Sequence, residues 1–165
     1  MASDRWRLFL ALPTTHQTLP DKGLRDTVAS RLAGMEQAMV RRRARTYTAM
    51  ADMIGYRQRP PWSGPEGFFA LSEQAGLTMR GVLSRALGDP GWLDRRTGLS
   101  LFGTSGPAPW SQPEIAMATV LLNHLEPDPA VEWTPERIAA TEERLAAMAA
   151  SPGADEADTG PSTQP

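Results

Sequence analysis

Between Asp21 and Gly55 the apolar residues Leu24, Val28, Leu32, Met35 and Met39 recur at steps of four, four, three and four, and Tyr47, Met50 and Ile54 extend the pattern. A face that returns every three or four residues marks an amphipathic helix, because 3.6 residues make one turn. The chain is thereby committed to a mainly helical class, with Gly34 the place where this first helix would break. "RQRPPWSGP" must end it, since each proline removes a backbone donor and disfavours helix at the residue before it.

A second helix is expected from Ser63 as cap, with Pro65 in the first turn and Glu66 three residues on, to about Gln74. Ala75-Gly76-Leu77 then reads as a tight turn, Thr78 as the cap of a third helix, and Gly88 with Asp89-Pro90 as its stop. "WLDRR", "TG" and "LSLF" suit two brief strands around a turn, given the alternation at Leu99, Ser100 and Leu101. "GTSGPAPWSQP" reads as a linker. From Pro113 a further helix is apolar nearly all round, at Ile115, Met117, Val120, Leu121, Leu122 and Leu125, which predicts a buried or sandwiched position. "EPDP" closes it. Thr134 caps a last helix with Pro135 in its first position, and Ile138, Thr141, Leu145 and Met148 form a narrow docking stripe. The chain thus divides into an N-terminal segment 1–20, a helical domain 21–110, a C-terminal helical pair 111–150 and a tail 151–165. The tail is rich in Ala, Gly, Pro, Ser and acids and is expected to be disordered.

Composition removes several functions. The 165 residues include no cysteine, which excludes disulfides, thiolate catalysis and zinc sites with sulfur ligands. The apolar run Leu8 to Leu12 is too short for a signal-peptide core, and no stretch approaches the roughly 18 apolar residues of a membrane span. A cytoplasmic protein is expected. The net charge of −2 hides a gradient: residues 1–60 hold eleven Lys/Arg and five Asp/Glu (+6), residues 61–110 four of each (0), and residues 111–165 two and ten (−8). A basic front suits a polyanionic partner, and an acidic rear can compete for the same cations; surface charge that serves only solubility is the plain alternative.

The sharpest pattern lies in the middle of the chain. On a helical wheel from Met79, the residues Met79, Val82, Leu83, Ala86 and Leu87 gather on one side, and Arg80, Gly81, Ser84 and Arg85 on the other. Two arginines and a serine around a residue without a side chain form a surface able to approach a major groove closely. Gly81 costs about 1 kcal/mol of helix propensity relative to alanine, and close backbone approach is a reason to tolerate it. An ordinary exposed or tightly packed glycine is the competing explanation.

"LSEQAGLTMRGVLSRAL" resembles the helix-turn-helix of bacterial transcription regulators, with Gly76 at the turn, Leu77 plugging the core, Thr78 as cap, and Val82 with Leu87 packing the second helix. "GWLDRRTGLSLF" is similar to the wing of winged-helix proteins. The resemblance covers Glu66 to about Phe102. It implies a winged helix-turn-helix core with a small β-hairpin wing, flanked by N- and C-terminal helices. It also implies DNA-facing roles for Thr78, Arg80, Gly81, Ser84 and Arg85, and backbone or minor-groove contacts for Arg95 and Arg96. Three departures stand out: the connection to the wing is tight and carries Pro90, the wing is short, and Gly81 occupies a position where many regulators place a polar reader.

A second basic feature is "RRRAR". Relative to the seam through Val40, Ala44 and Tyr47, the side chains of Arg41, Arg42 and Arg45 point away and Arg43 lies at the border. These arginines either clamp phosphates or form a solvated face that docks acidic residues such as Asp155, Glu156 and Asp158.

Signs of enzyme chemistry are missing: there is no Walker loop, no Gly-x-Ser-x-Gly elbow and no His-Glu-x-x-His. His16 falls in a loop and His124 on an apolar helix without a third ligand at metal spacing, so a structural histidine is the expectation, with no metal and no cofactor. Trp6, Trp62, Trp92, Trp110 and Trp133 are scattered at element ends, where anchoring packing is ordinary. The expectation is a non-enzymatic binder of double-stranded DNA, a transcription regulator or a component of a replication, partition or packaging machine, oligomeric through its C-terminal helices. The alternative is a helical adaptor that turns the same surface toward protein.

Overall fold

The computed structural model describes residues 15–102 and 106–150, the last three as backbone only. The expectations for Leu8 to Leu12, for the side chain of Met148 and for the tail 151–165 lie outside the described residues.

Helix α1 runs unbroken from Lys22–Met53. Asp21 caps it, its carboxylate accepting the Leu24 amide at 2.6 Å, which satisfies a donor that the first turn leaves exposed. Gly34 does not interrupt the helix. Its neighbours Leu32, Ala33, Met35, Glu36 and Gln37 are good helix formers, and their sum outweighs a glycine cost of about 1 kcal/mol. Gly55 stops the chain at φ +62°, a left-handed conformation that glycine adopts without a Cβ penalty. There Val131 Cγ1 would lie 2.7 Å from any added Cβ.

Strand β1, Tyr56–Gln58, follows, and then helix α2, Gly67–Gly88, a single element of 22 residues. The turn expected at Ala75-Gly76-Leu77 is therefore not made, and Thr78 is an interior helical residue rather than a cap. Packing and propensity together decide this. Leu71, Ser72, Ala75, Gly76, Val82 and Ala86 are all buried along α2, so the stripe continues through the glycine, and the flanking Gln74, Ala75, Leu77 and Met79 are good helix formers, as around Gly34. The start also differs: the residue before the first turn is Glu66, without a side-chain cap bond, and Ser63 lies outside the helix.

After a 3-10 turn at Pro90–Trp92, strands β2 (Arg96–Leu99) and β3 (Ala108–Ser111) form an antiparallel hairpin, with Arg96 opposite Ser111 and Leu99 opposite Ala108. Thr97-Gly98 thus lies inside a strand instead of at a turn, and the second strand comes from the segment expected to be a linker. Trp110 supplies the reason. Its half-buried ring meets Phe102 edge-on at 5.5 Å, an aromatic contact that anchors an otherwise weak strand sequence.

Helix α3, Gln112–His124, opens on a reciprocal capping box: Ser111 Oγ accepts the Glu114 amide at 3.3 Å, and Glu114 accepts the Ser111 amide at 2.6 Å. Arg96 donates to the same carboxylate at 2.6 Å. Together these bonds hold the Glu114 carboxyl at about 2, the Ser111 amide being the largest cause. A folded-state value below the unfolded one contributes stability that is complete above pH 4.5 and lost as pH falls toward 2. The melting temperature of Glu114→Gln is accordingly expected to lie below that of the parent at pH 6 and to converge with it near pH 2. A constant gap across that range in a calorimetric pH series would remove the carboxylate from this role.

"EPDP" does not simply close α3. Leu125–Pro127 forms strand β4, which pairs antiparallel with β1, Gln58 opposite Leu125 and Tyr56 opposite Pro127. Helix α4, Pro135–Ala150, starts as expected, with Thr134 Oγ1 accepting the Arg137 amide at 3.3 Å. The described protein is mainly helical with two small antiparallel sheets. Helix α2 packs against both α1 and α3, and the core gathers Ala51, Leu71 and Leu125 with Tyr47, Phe68 and Val120 against them. Helix α3 is half-buried rather than sandwiched along most of its length. Among the described residues no helix is long and apolar enough to cross a membrane.

Candidate nucleic-acid interface

The residues of the central pattern take up unequal positions on α2. Gly81, Ser84 and Arg85 face solvent, as the wheel predicts, and Thr78 is half-buried. Arg80 turns back toward α1 and forms an ion pair with Glu36. The apolar side is also less complete than its pattern suggests: Val82 and Ala86 are buried, Leu83 is half-buried, and Met79 and Leu87 remain exposed. Leu77, expected to plug the core, is 64% exposed. With no turn before it, its side chain is carried round to the outside of a straight helix.

Gly81 has nothing within 4 Å of the place where a Cβ would sit. No neighbour in the fold requires a glycine here. Gly81→Ala is expected to raise stability by about 1 kcal/mol, the helix-propensity difference at an exposed position. Chemical denaturation measures it, and a stability loss would reveal a packing role not visible in the free protein. If α2 approaches DNA closely, the same variant gains stability and loses affinity.

Arg95 and Arg96 lie at the base of the hairpin rather than on a turn. Arg95 pairs with Asp89 at 2.8 Å, and Arg85 reaches the same carboxylate at 3.9 Å. Arg96 pairs with Glu114 and also donates to the Pro109 carbonyl at 3.3 Å. The cations of α2 and the hairpin are thus matched by nearby carboxylates. These pairs are solvent-exposed, and such pairs exchange partners at little cost.

The arginine run of α1 is different. Arg41, Arg42 and Arg45 are exposed, and none makes an ion pair among the described residues. Ala44, buried at 4% exposure, and half-buried Val40 and Tyr47 turn the opposite side of α1 toward the rest of the fold. At a rise of about 1.5 Å per residue, Arg41 and Arg45 stand roughly 6 Å apart along the axis, about two nucleotides of one strand at roughly 3.4 Å each. This cationic face can follow a phosphate backbone; it offers no fixed bidentate geometry for a base edge.

Arg43, at the border by sequence, points inward. Its Nε donates to Ser72 Oγ at 3.3 Å, and Ser72, fully buried, donates to the Val40 carbonyl at 2.9 Å. The guanidinium lies over Gly76, where an added Cβ would fall 2.8 Å from Nη2 and 3.1 Å from Nη1. Sequence reasoning missed this contact and the Arg80–Glu36 pair. The available signal was Ser72 followed four residues later by Gly76, two small residues on one helical face.

The histidine on α3 is packed inside the fold. His124 is 1% exposed, its Nδ1 lies 3.0 Å from the Val120 carbonyl, and its ring stacks at 4.4 Å on Trp62. Among the described residues no group of three or more His, Asp or Glu side chains is placed to hold a metal ion. An apolar hollow of about 320 Å³ is lined by Tyr47, Met50, Phe102, Trp110, Leu121 and Leu122 among others. Burial raises the pKa of the Tyr47 hydroxyl, partly offset by the nearby Arg43 charge. Comparison with protein-family models, with curated proteins and with solved structures finds no match to the chain.

Proposed function

We propose that this chain is a non-enzymatic protein that binds double-stranded DNA mainly through phosphates, acting as a transcription regulator or as the DNA-binding component of a replication, partition or packaging machine. The observation that carries the reading is the exposed face of Arg41, Arg42 and Arg45 on the continuous helix α1, without carboxylate partners among the described residues. Arg85, Arg95 and Arg96 join as their surface carboxylates give way to phosphate. The β2–β3 hairpin takes the part of a short wing, and Ser84 with Gly81 faces the same partner. A continuous α2 replaces the two-helix reader, so backbone contact outweighs base readout in this proposal.

Fluorescence anisotropy on labelled duplexes across a salt series tests it. Three phosphate contacts contribute a slope of about −2.7 in log K against log[salt], at roughly −0.9 per contact. Affinity indifferent to salt, or no binding to duplex in dilute buffer, would end the proposal.

A second reading has its own support. Leu24 and Met35 on α1, Leu77 on α2, and Ile138 with Leu145 on α4 are exposed apolar side chains, as a helical adaptor or an oligomer joined through its C-terminal helices would present. Size-exclusion chromatography with light scattering separates the two. A large ring or a stable hetero-complex favours the adaptor, and a small oligomer that shifts DNA favours the first reading.

A further inference from the structure

We infer that the groove between α1 and α2 is a binding site for a small apolar monocarboxylate, held by the terminal nitrogens of Arg43. The groove encloses about 390 Å³, with Ala33, Val40 and Leu77 supplying apolar wall and Arg43, Glu73 and Arg80 supplying charge. It is separate from the outward arginine face, and the inference does not rest on DNA binding.

Three features make Arg43 a built site rather than a stray surface cation. Buried Ser72 fixes the guanidinium through its Nε, which leaves both terminal nitrogens to other partners. The neighbouring residue on α2 is Gly76, whose missing Cβ leaves the space that the planar fork occupies. Among the described residues no carboxylate pairs with Arg43, although the side chain is half-buried. A partly desolvated guanidinium without a counter-charge is costly, and its fork matches a carboxylate bidentately.

The rest of the groove sets the ligand class. Glu36 is engaged by Arg80, while Glu73 lines the same space and forms no ion pair among the described residues. One added negative charge neutralises Arg43, whereas a second would meet Glu73. A monocarboxylate is therefore preferred to a phosphate dianion. The apolar wall suits a short branched or aromatic body, and Leu77, exposed in the free protein, gains cover from it.

The test titrates the whole chain with isovalerate, its neutral isostere isovaleramide and inorganic phosphate, following amide chemical shifts of Gly76 and Leu77 by NMR. Isovalerate is expected to give saturable shifts with a dissociation constant on the order of 1 mM, as its few heavy atoms allow. Isovaleramide and phosphate are expected to bind at least about tenfold more weakly. Arg43→Gln should weaken isovalerate by a similar factor, and Gly76→Ala should do so by displacing the guanidinium, while Arg144→Gln on α4 leaves it unchanged. Equal binding of the amide, tighter binding of phosphate, or shifts that never saturate would each overturn the assignment. The comparison of probes on the parent chain stands even if a variant fails to fold.

Discussion

Replacing Arg41, Arg42 and Arg45 together by alanine is expected to reduce affinity for duplex DNA on the order of 100-fold near 0.1 M salt and to flatten the salt slope by about 2.7. The loss should be the same for any sequence, because contacts to phosphate position a protein without reading bases. The helix itself is not at risk, since alanine is the strongest helix former and the three side chains stand on the exposed face of α1. Circular dichroism should therefore show an unchanged or slightly more stable fold. An unchanged salt slope in the triple variant would transfer the polyanion contact elsewhere, and a loss confined to one preferred sequence would assign these arginines a reading role.

The largest stability effect is expected at Gly67. A Cβ on this residue would lie 1.8 Å from the Trp62 carbonyl oxygen and 2.5 Å from Gln58 Nε2, and the first of these is backbone in a turn closed by the Trp62 amide on the Arg59 carbonyl at 2.8 Å. Nothing flexible can give way at the carbonyl, so α2 itself must move. Gly67→Ala is expected to cost about 3 kcal/mol or more, a severe overpacking loss. In a chain of this size that lowers the melting temperature by roughly 10 °C. A melting temperature within about 2 °C of the parent would mean that the start of α2 is looser than its geometry. The contrast with Gly81→Ala is instructive, because the same substitution on the same helix is expected to act in opposite directions.

That contrast also shows what local sequence could and could not reveal. The wheel separates Gly81, Ser84 and Arg85 from Val82 and Ala86 correctly, because spacing sets which residues share a face, but it does not fix how far that face is covered: Met79 and Leu87 stay exposed. Gly76 misled for a physical reason. A glycine between two apolar stretches matches the turn of a helix-turn-helix, yet here it makes room for the guanidinium of Arg43, a residue 33 positions earlier in the chain. The pairing of Arg80 with Glu36, at a separation of 44 residues, is hidden for the same reason. The Thr134 cap is legible because it depends on residues within one turn, whereas the first helix, expected to end at the prolines of "RQRPPWSGP", stops earlier, at Gly55. The short strands β1 and β4 are not legible, since three residues carry no usable alternation and their pairing is decided entirely by what surrounds them.

The β1–β4 ribbon also orders events in time. Arg57 donates to Glu126 at 2.8 Å across 69 positions of chain, and the same pairing brings Leu125 to the core beside Ala51 and Leu71. While the polypeptide is being synthesised, the long first helix and its neighbour are complete well before Leu125 leaves the ribosome. Until then the interior is open on that side, and closing the loop, entropically dear and slow relative to the helices on either side, is expected to be the late step of folding.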